Sequence, residues 1–212
     1  MSRKGAVVAW SAAVGSPPRT VTVGFRPGAA GPETVWDNAV ELRVGGQALL
    51  LPPVAAPNSV GLARPVSELV QAVGMTEQPG LRWQRHLLFA PPDLLVLADH
   101  LQSPQPRQQG WAARLATAPG LNLHARRIDL PAGEVTASLY LVLPAAVTAR
   151  VSGESLEILT AQRSHEARLV TVLVLHETGH LPIPTRREEG GVVSFTWADM
   201  EHPRRLVVET AP

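Results

Sequence analysis

The sequence predicts an all-β protein: a single large antiparallel β-sandwich, supersandwich-like in size, with at most one or two short helices. Twenty prolines and seventeen glycines break its 212 residues at short intervals. Between the breaks lie runs of about 5–8 residues rich in Val, Leu, Thr and Ile, the spacing of strands in a sandwich or barrel. Hydrophobic residues make up 45% of the chain, enough to fill a core of that size and too many for wholesale disorder.

Residues 1–19 read as an N-terminal extension or a first strand, and residues 20–212 as the sandwich, with no linker between parts. In "TVTVGF" (20–25) Val21, Val23 and Phe25 share one face, because successive side chains of a strand point to opposite sides. "AVELRVGGQALLL" (39–51) reads as two strands joined by a tight turn at Gly45-Gly46. "SVGLARPVSELVQAVGM" (59–75) places Val66, Leu69, Val70 and Val73 at helical spacing, with Pro65 in the first turn and Gly74 as the stop. It predicts the one helix, with a strand as the competing reading. "RHLLFA" (85–90) and "DLLVLADHL" (93–101) are strands, followed by a polar loop, "QSPQPRQQG" (102–110). Further strands are expected at 135–143, 168–175, 192–197 and 205–210.

Charge excludes several classes of partner. The chain carries 19 Lys+Arg against 18 Asp+Glu, so nothing draws it as a whole to nucleic acid or to a membrane surface. It has no cysteine, which removes disulfides and thiolate metal sites and leaves the compartment open. No run of about 18 apolar residues predicts a transmembrane helix. The opening "MSRKGAVVAWSAAVGSPP" is too interrupted for a convincing signal peptide. The localisation is therefore unknown, and the chain reads as soluble.

One motif invites an enzymatic reading. His176-Glu177-Thr178-Gly179-His180 matches H-E-x-x-H, in which two histidines on one face of a helix bind zinc and the glutamate is the base. The preceding "RLVTVLVL" (168–175) is β-branched and reads as a buried strand. Pro182 and Pro184 follow at once and cannot continue a helix, and Gly179 weakens one. The motif is read as the end of a strand and a polar turn, with a zinc peptidase as the unfavoured alternative.

"RWQRHLLFAPPDLLVLADHLQS" (82–103) resembles the heparinase II/III-like polysaccharide lyases. Their sandwich carries a strand pair of the form Arg-x-Leu-x-Phe, a Pro-Asp or Gly-Asp turn, and an apolar run ending in Asp. Here these are Arg85 to Phe89, Pro92-Asp93, and "LLVLAD" to Asp99. "GWAARLATAP", "ASLYLVLP" and "RLVTVLVL" are similar to the later strands, and "GFRPG" (24–28) to the opening one. The family's H-x-H-x-D stretch finds Asp37 here, but Glu33 and Val35 stand in place of its histidines. Its His-Asn finds Asn58, with Pro57 for the histidine. The resemblance spans roughly residues 20–210.

The resemblance implies the sandwich (C-terminal) domain of such a lyase and points away from its chemistry. β-Elimination beside a uronic acid needs a group to neutralise the carboxylate, a base for the C5 proton and an acid for the leaving oxygen. In the family these are Tyr, His, Asn and Arg residues where a helical toroid meets the sandwich. This chain is too short to hold that toroid as well. Its one tyrosine, Tyr140, is read as a strand residue with its hydroxyl at an edge. No catalytic residue is therefore assigned. The implied partners are an acidic polysaccharide or a catalytic toroid, and a homo-oligomer fits the apolar face a toroid would cover. The first alternative is the sandwich part of an active lyase completed by a separate toroid.

Carbohydrate-contact candidates are Trp36, Asp37, Asn58, Trp83 and Arg85. Tryptophan faces stack on sugars, and Trp36 beside Asp37 and Asn38 is the first choice, although most of the five tryptophans, Trp111 included, are expected in the core. The pairs Arg126-Arg127, Arg186-Arg187 and Arg204-Arg205 could meet acidic groups, but neighbours in a strand face opposite ways. No cofactor is expected. Zinc would need three or four convergent ligands, and Asp37, His86, His100, His176 and His180 have no spacing that forces them together.

Overall fold

The computed structural model describes residues 8–14, 19–25, 40–45, 47–51, 62–65, 70–78, 81–90, 93–115, 120–122, 126–144, 146–180, 182–198 and 203–209. Every regular element in them is a strand. In chain order these are β1 (Val8–Val14), β2 (Arg19–Phe25), β3 (Val40–Val44), β4 (Gln47–Leu51), β5 (Leu62–Pro65) and β6 (Val70–Gln78). Next come β7 (Leu81–Ala90), β8 (Leu94–Arg107), β9 (Gly110–Leu115), β10 (Gly120–Asn122), β11 (Arg127–Ala132) and β12 (Val135–Leu143). The last six are β13 (Val147–Ser152), β14 (Ser155–Thr160), β15 (Ser164–Glu177), β16 (Thr185–Glu189), β17 (Val192–Trp197) and β18 (Arg204–Glu209).

The strands form three sheets. An eight-stranded sheet runs β13-β14-β9-β4-β3-β2-β1-β5, and a seven-stranded sheet runs β10-β11-β12-β15-β8-β7-β6. A three-stranded sheet, β16-β17-β18, completes the set. All neighbours are antiparallel except β1 and β5, which pair in parallel. The expected sandwich is thus present, with one parallel pair and a third layer added.

Burial places the layers. Val21, Val23, Leu42, Leu49, Trp111 and Leu115 of the large sheet pack with Leu87, Phe89, Leu97, Leu139, Leu169 and Leu173 of the seven-stranded sheet. The opposite face of the seven-stranded sheet presents Leu94, Val96, Tyr140, Val170, Val172 and Val174 to Val193, Phe195 and Trp197 of β17. The middle sheet is therefore covered on both faces. That explains its unbroken apolar runs, "LLVLA" and "LVTVLVL": a strand buried on both sides has no reason to alternate.

Two expectations are corrected. The predicted helix is not formed where the structure describes the segment: Pro65 ends β5, and Val70, Val73 and Gly74 lie in β6. β6 runs along β7 in register, Val70 opposite Phe89 and Gly74 opposite Arg85, so pairing at a sheet edge overrides the helical spacing. Val66 and Leu69 lie outside the described residues. The polar loop at 102–110 is mostly strand, since β8 continues to Arg107, which pairs with Ser164. Pro104 and Pro106 are tolerated because they fall between Gln102 and Arg107, where the register with β15 shifts, and beyond the last pair that β8 makes with β7, Arg82 opposite Gln102. β1 also shows that the first nineteen residues contain a strand, paired with β2.

Candidate functional site

Polar side chains gather in three places on this scaffold. The first lies between the two large sheets. Arg85 and Asp99 face each other across β7 and β8 and are 2% and 3% exposed. Arg85 Nε donates to Asp99 Oδ1 at 2.6 Å and Nη2 to Oδ2 at 2.8 Å, and Trp83 Nε1 donates to the same Oδ1 at 2.8 Å. The guanidinium also lies 4.6 Å from the Trp83 ring and 5.0 Å from that of Trp111 on the opposite sheet. Pairing, hydrogen bonding and two aromatic faces make this buried charge tolerable. The motif that carried the resemblance is thus a polar tie inside the core. Trp83 is half-buried against that core. Trp36, Asp37 and Asn58 lie outside the described residues.

The second place is the end of β15 on the outer face of the middle sheet. β15 runs to Glu177, so His176 and Glu177 belong to a strand and Thr178-Gly179 to a turn. The helix that a zinc peptidase would require is absent. His176 Nε2 lies 2.8 Å from Ser138 Oγ, which donates to Asp129 Oδ1 at 2.6 Å. Asp129 is held in turn by Arg127 at 2.9 Å. His176 Nδ1 donates to the Glu177 carbonyl at 2.9 Å. Burial pushes the His176 pKa below its ordinary value, outweighing the Glu177 carbonyl and the Asp129 charge, which raise it. The chain of contacts has a proton logic. Ser138 has a single hydroxyl hydrogen, which goes to Asp129, so the Nε2 contact carries a hydrogen only when the imidazole is protonated and donates to Ser138 Oγ. Ser138 is fully buried, so it is no accessible nucleophile.

The turn itself is pinned. Thr178 Oγ1 donates to the Gly133 carbonyl at 2.9 Å, so the 3.0 Å contact with Thr136 Oγ1 draws its hydrogen from Thr136. Thr178 N also donates to the Glu134 carbonyl at 2.8 Å. Ser138, Asp129 and Thr136 were not singled out from the sequence. The signal was the alternation of Thr136, Ser138 and Tyr140 along "TASLY", which puts three polar groups on one face of a buried strand.

Tyr140 donates to the Pro182 carbonyl at 2.7 Å and is 7% exposed. Its strand lies inside the sheet, so its hydroxyl reaches over a neighbouring segment and not to the expected edge. His86 contacts Gln84 at 3.0 Å and His100 contacts Glu166 at 2.7 Å. His180 is exposed in the turn. Among the described residues no three histidines or carboxylates come together as a metal would need.

The third place is a cavity of 450 Å³ where β12, β14, β15 and β18 end, bordered by Pro144, Gln162, Ser164, Glu166, Arg168 and Glu209.

No protein-family profile and no curated protein sequence matches the chain. Solved structures do. The heparan sulfate lyase HepC from Pedobacter heparinus matches with a TM-score of 0.63 at 11% identity, over 91% of this chain and 39% of its own. A heparinase III gene product matches with a TM-score of 0.62 at 9% identity, over 99% and 42%. Another heparinase III gives 0.60 at 9%, over 97% and 42%. The fold is that of a heparinase-like β-sandwich domain. The chain spans about two fifths of the length of these enzymes, and at such identity the likeness of the heparinase-like sandwich to them is one of fold. No helix among the described residues is long and apolar enough to cross a membrane.

Proposed function

We propose that this heparinase-like sandwich serves in processing an acidic polysaccharide without lyase chemistry of its own. It contacts the glycan, or docks to a catalytic helical toroid that acts on it. The observation that supports this reading is Tyr140, the chain's one tyrosine, which is buried and bonded to the Pro182 carbonyl. A phenol held that way cannot reach a sugar to trade protons with it. Trp36, Asp37 and Asn58 remain the glycan candidates, whereas Arg85 and the indole N–H of Trp83 are committed to Asp99 inside the core.

The test is incubation of the purified chain with heparan-type and other uronate polymers, followed by ultraviolet absorbance. No unsaturated uronate should form, while the polymer should bind. Elimination by the isolated chain would overturn the reading. Activity that arises only when a toroid chain is added would favour the alternative, a lyase in two parts.

A further inference from the structure

The 450 Å³ cavity has a lining whose charges do not cancel. Glu166 and Arg168 both border it. They are alternate residues of β15, so they share a face of that strand and sit about 7 Å apart along it. Glu209, the last residue of β18, brings a second carboxylate from the third sheet. Leu143 and Pro144 give the cavity an apolar wall where β12 ends. The lining therefore holds one carboxylate more than it holds guanidinium groups.

These groups have capacity to spare. Glu166 Oε1 lies 2.7 Å from His100 Nε2, while its other oxygen meets no donor among the described residues. The Glu209 carboxylate meets none among them either. Arg168 is already engaged, but a guanidinium carries five N–H donors and can serve more than one acceptor. A buried acceptor points the same way. Gln109 is 2% exposed and sits against Thr160 and Ser164, which line the cavity. Its backbone N–H donates to Thr160 Oγ1 at 3.0 Å and its Nε2 to the Ser164 carbonyl at 2.8 Å, but its Oε1 has no partner among the described residues. Acceptors without donors therefore collect at this place, and what they fit is a cation rich in N–H groups.

We propose that the cavity binds a free basic amino acid of the lysine or arginine type. Its two cationic groups answer Glu166 and Glu209, and its carboxylate answers the Arg168 fork. Its methylenes lie along Leu143 and Pro144. The choice of ligand follows from charge. A diamine would turn its ammonium groups toward Arg168 with nothing to offer it, and a neutral amino acid would leave one carboxylate unmatched. Two cations and one anion on an apolar stem match the whole lining. The site stands apart from the glycan reading and does not depend on it.

The experiment titrates the intact chain, by calorimetry, with lysine, arginine, cadaverine, norleucine and a short peptide ending in lysine. Cadaverine lacks the carboxylate, norleucine the side-chain cation, and the peptide the free α-amine beside its carboxylate. Lysine and arginine should bind, and each of the three incomplete ligands should bind about tenfold more weakly. Glu209→Gln should weaken both lysine and cadaverine about tenfold, whereas Arg168→Gln should weaken lysine and spare cadaverine. Glu209 and Arg168 are exposed, so both variants should fold, and lysine should raise the melting midpoint of the parent more than that of either variant. No binding of lysine or arginine by the parent at millimolar concentration would overturn the site. Cadaverine bound as tightly as lysine would overturn the amino-acid assignment, and norleucine bound as tightly would overturn the role of the second carboxylate. Tighter binding of the peptide than of lysine would overturn the free amino acid as occupant in favour of a chain terminus.

Discussion

A single buried carboxylate holds much of the sandwich interior together. Asp99 takes three hydrogen bonds, two from Arg85 and one from Trp83. Removing one member of such a pair strands the other charge in an apolar interior. Asp99→Asn or Arg85→Met should therefore cost about 3–5 kcal/mol, measured by chemical denaturation. The combined Arg85→Met, Asp99→Leu variant should recover most of that loss, because a well-packed apolar pair removes the need to pay for desolvation. His176 supports a prediction with a definite sign. Its folded-state pKa is lowered from 6.5, chiefly by burial. Below about pH 6.5 the unfolded chain takes up this proton more readily than the folded one. The stability contributed by neutral His176 is present above that pH and lost as pH falls toward the folded value. Melting temperatures measured across the range should show a shallower acid decline for His176→Gln than for the parent. Equal slopes would remove His176 as the cause.

Among the elements, β9 and β14 approach each other closely at Gly110. A Cβ built on Gly110 would lie 1.7 Å from the Ile158 carbonyl oxygen, a backbone atom that cannot rotate aside. Gly110→Ala should thus force the two strands apart and destabilise the fold by about 2 kcal/mol or more, read from the denaturation midpoint. Strands were legible in the sequence wherever the pattern was local. Period-2 alternation marked β2, and unbroken β-branched runs marked β8, β12 and β15. β6 was misread because Val66, Leu69, Val70 and Val73 satisfy a helical period and only its pairing with β7 decides otherwise. The H-E-x-x-H decoy was legible for a local reason as well: two prolines follow it. The Ser138–Asp129 contact was not, because it depends on the register of β11 against β12, which a single sequence does not print. The same holds for Arg85 and Asp99. Both were conspicuous as letters, but their burial against Trp111 comes from the other sheet.

For the whole molecule, the third layer is what most distinguishes the structure from the two-sheet sandwich expected. Trp197 is its anchor, fully buried against Tyr140 at a centroid distance of 6.0 Å. Its indole nitrogen finds no hydrogen-bond partner among the described residues, so its contribution there is packing. Trp197→Ala should cost about 3–5 kcal/mol and raise binding of an apolar dye, whereas Trp197→Phe should cost less than half as much. The Arg204–Asp93 pair, 3.0 Å apart, fastens the last strand to the β7–β8 turn. Asp93 was read only as part of a turn, and its second role emerged once β18 was placed.

The order of the middle sheet has a consequence for how the protein is made. β15 alone joins β8 to β12. A nascent chain that has not yet reached Ser164 carries two half-sheets, β6-β7-β8 and β10-β11-β12, each with an open apolar edge. Neither edge has a local partner, and the strand that closes both begins only at Ser164. Until then such edges are templates for pairing with other chains. Translation speed and chaperone supply over residues 108–164 should therefore govern the yield of this protein more than its final stability does.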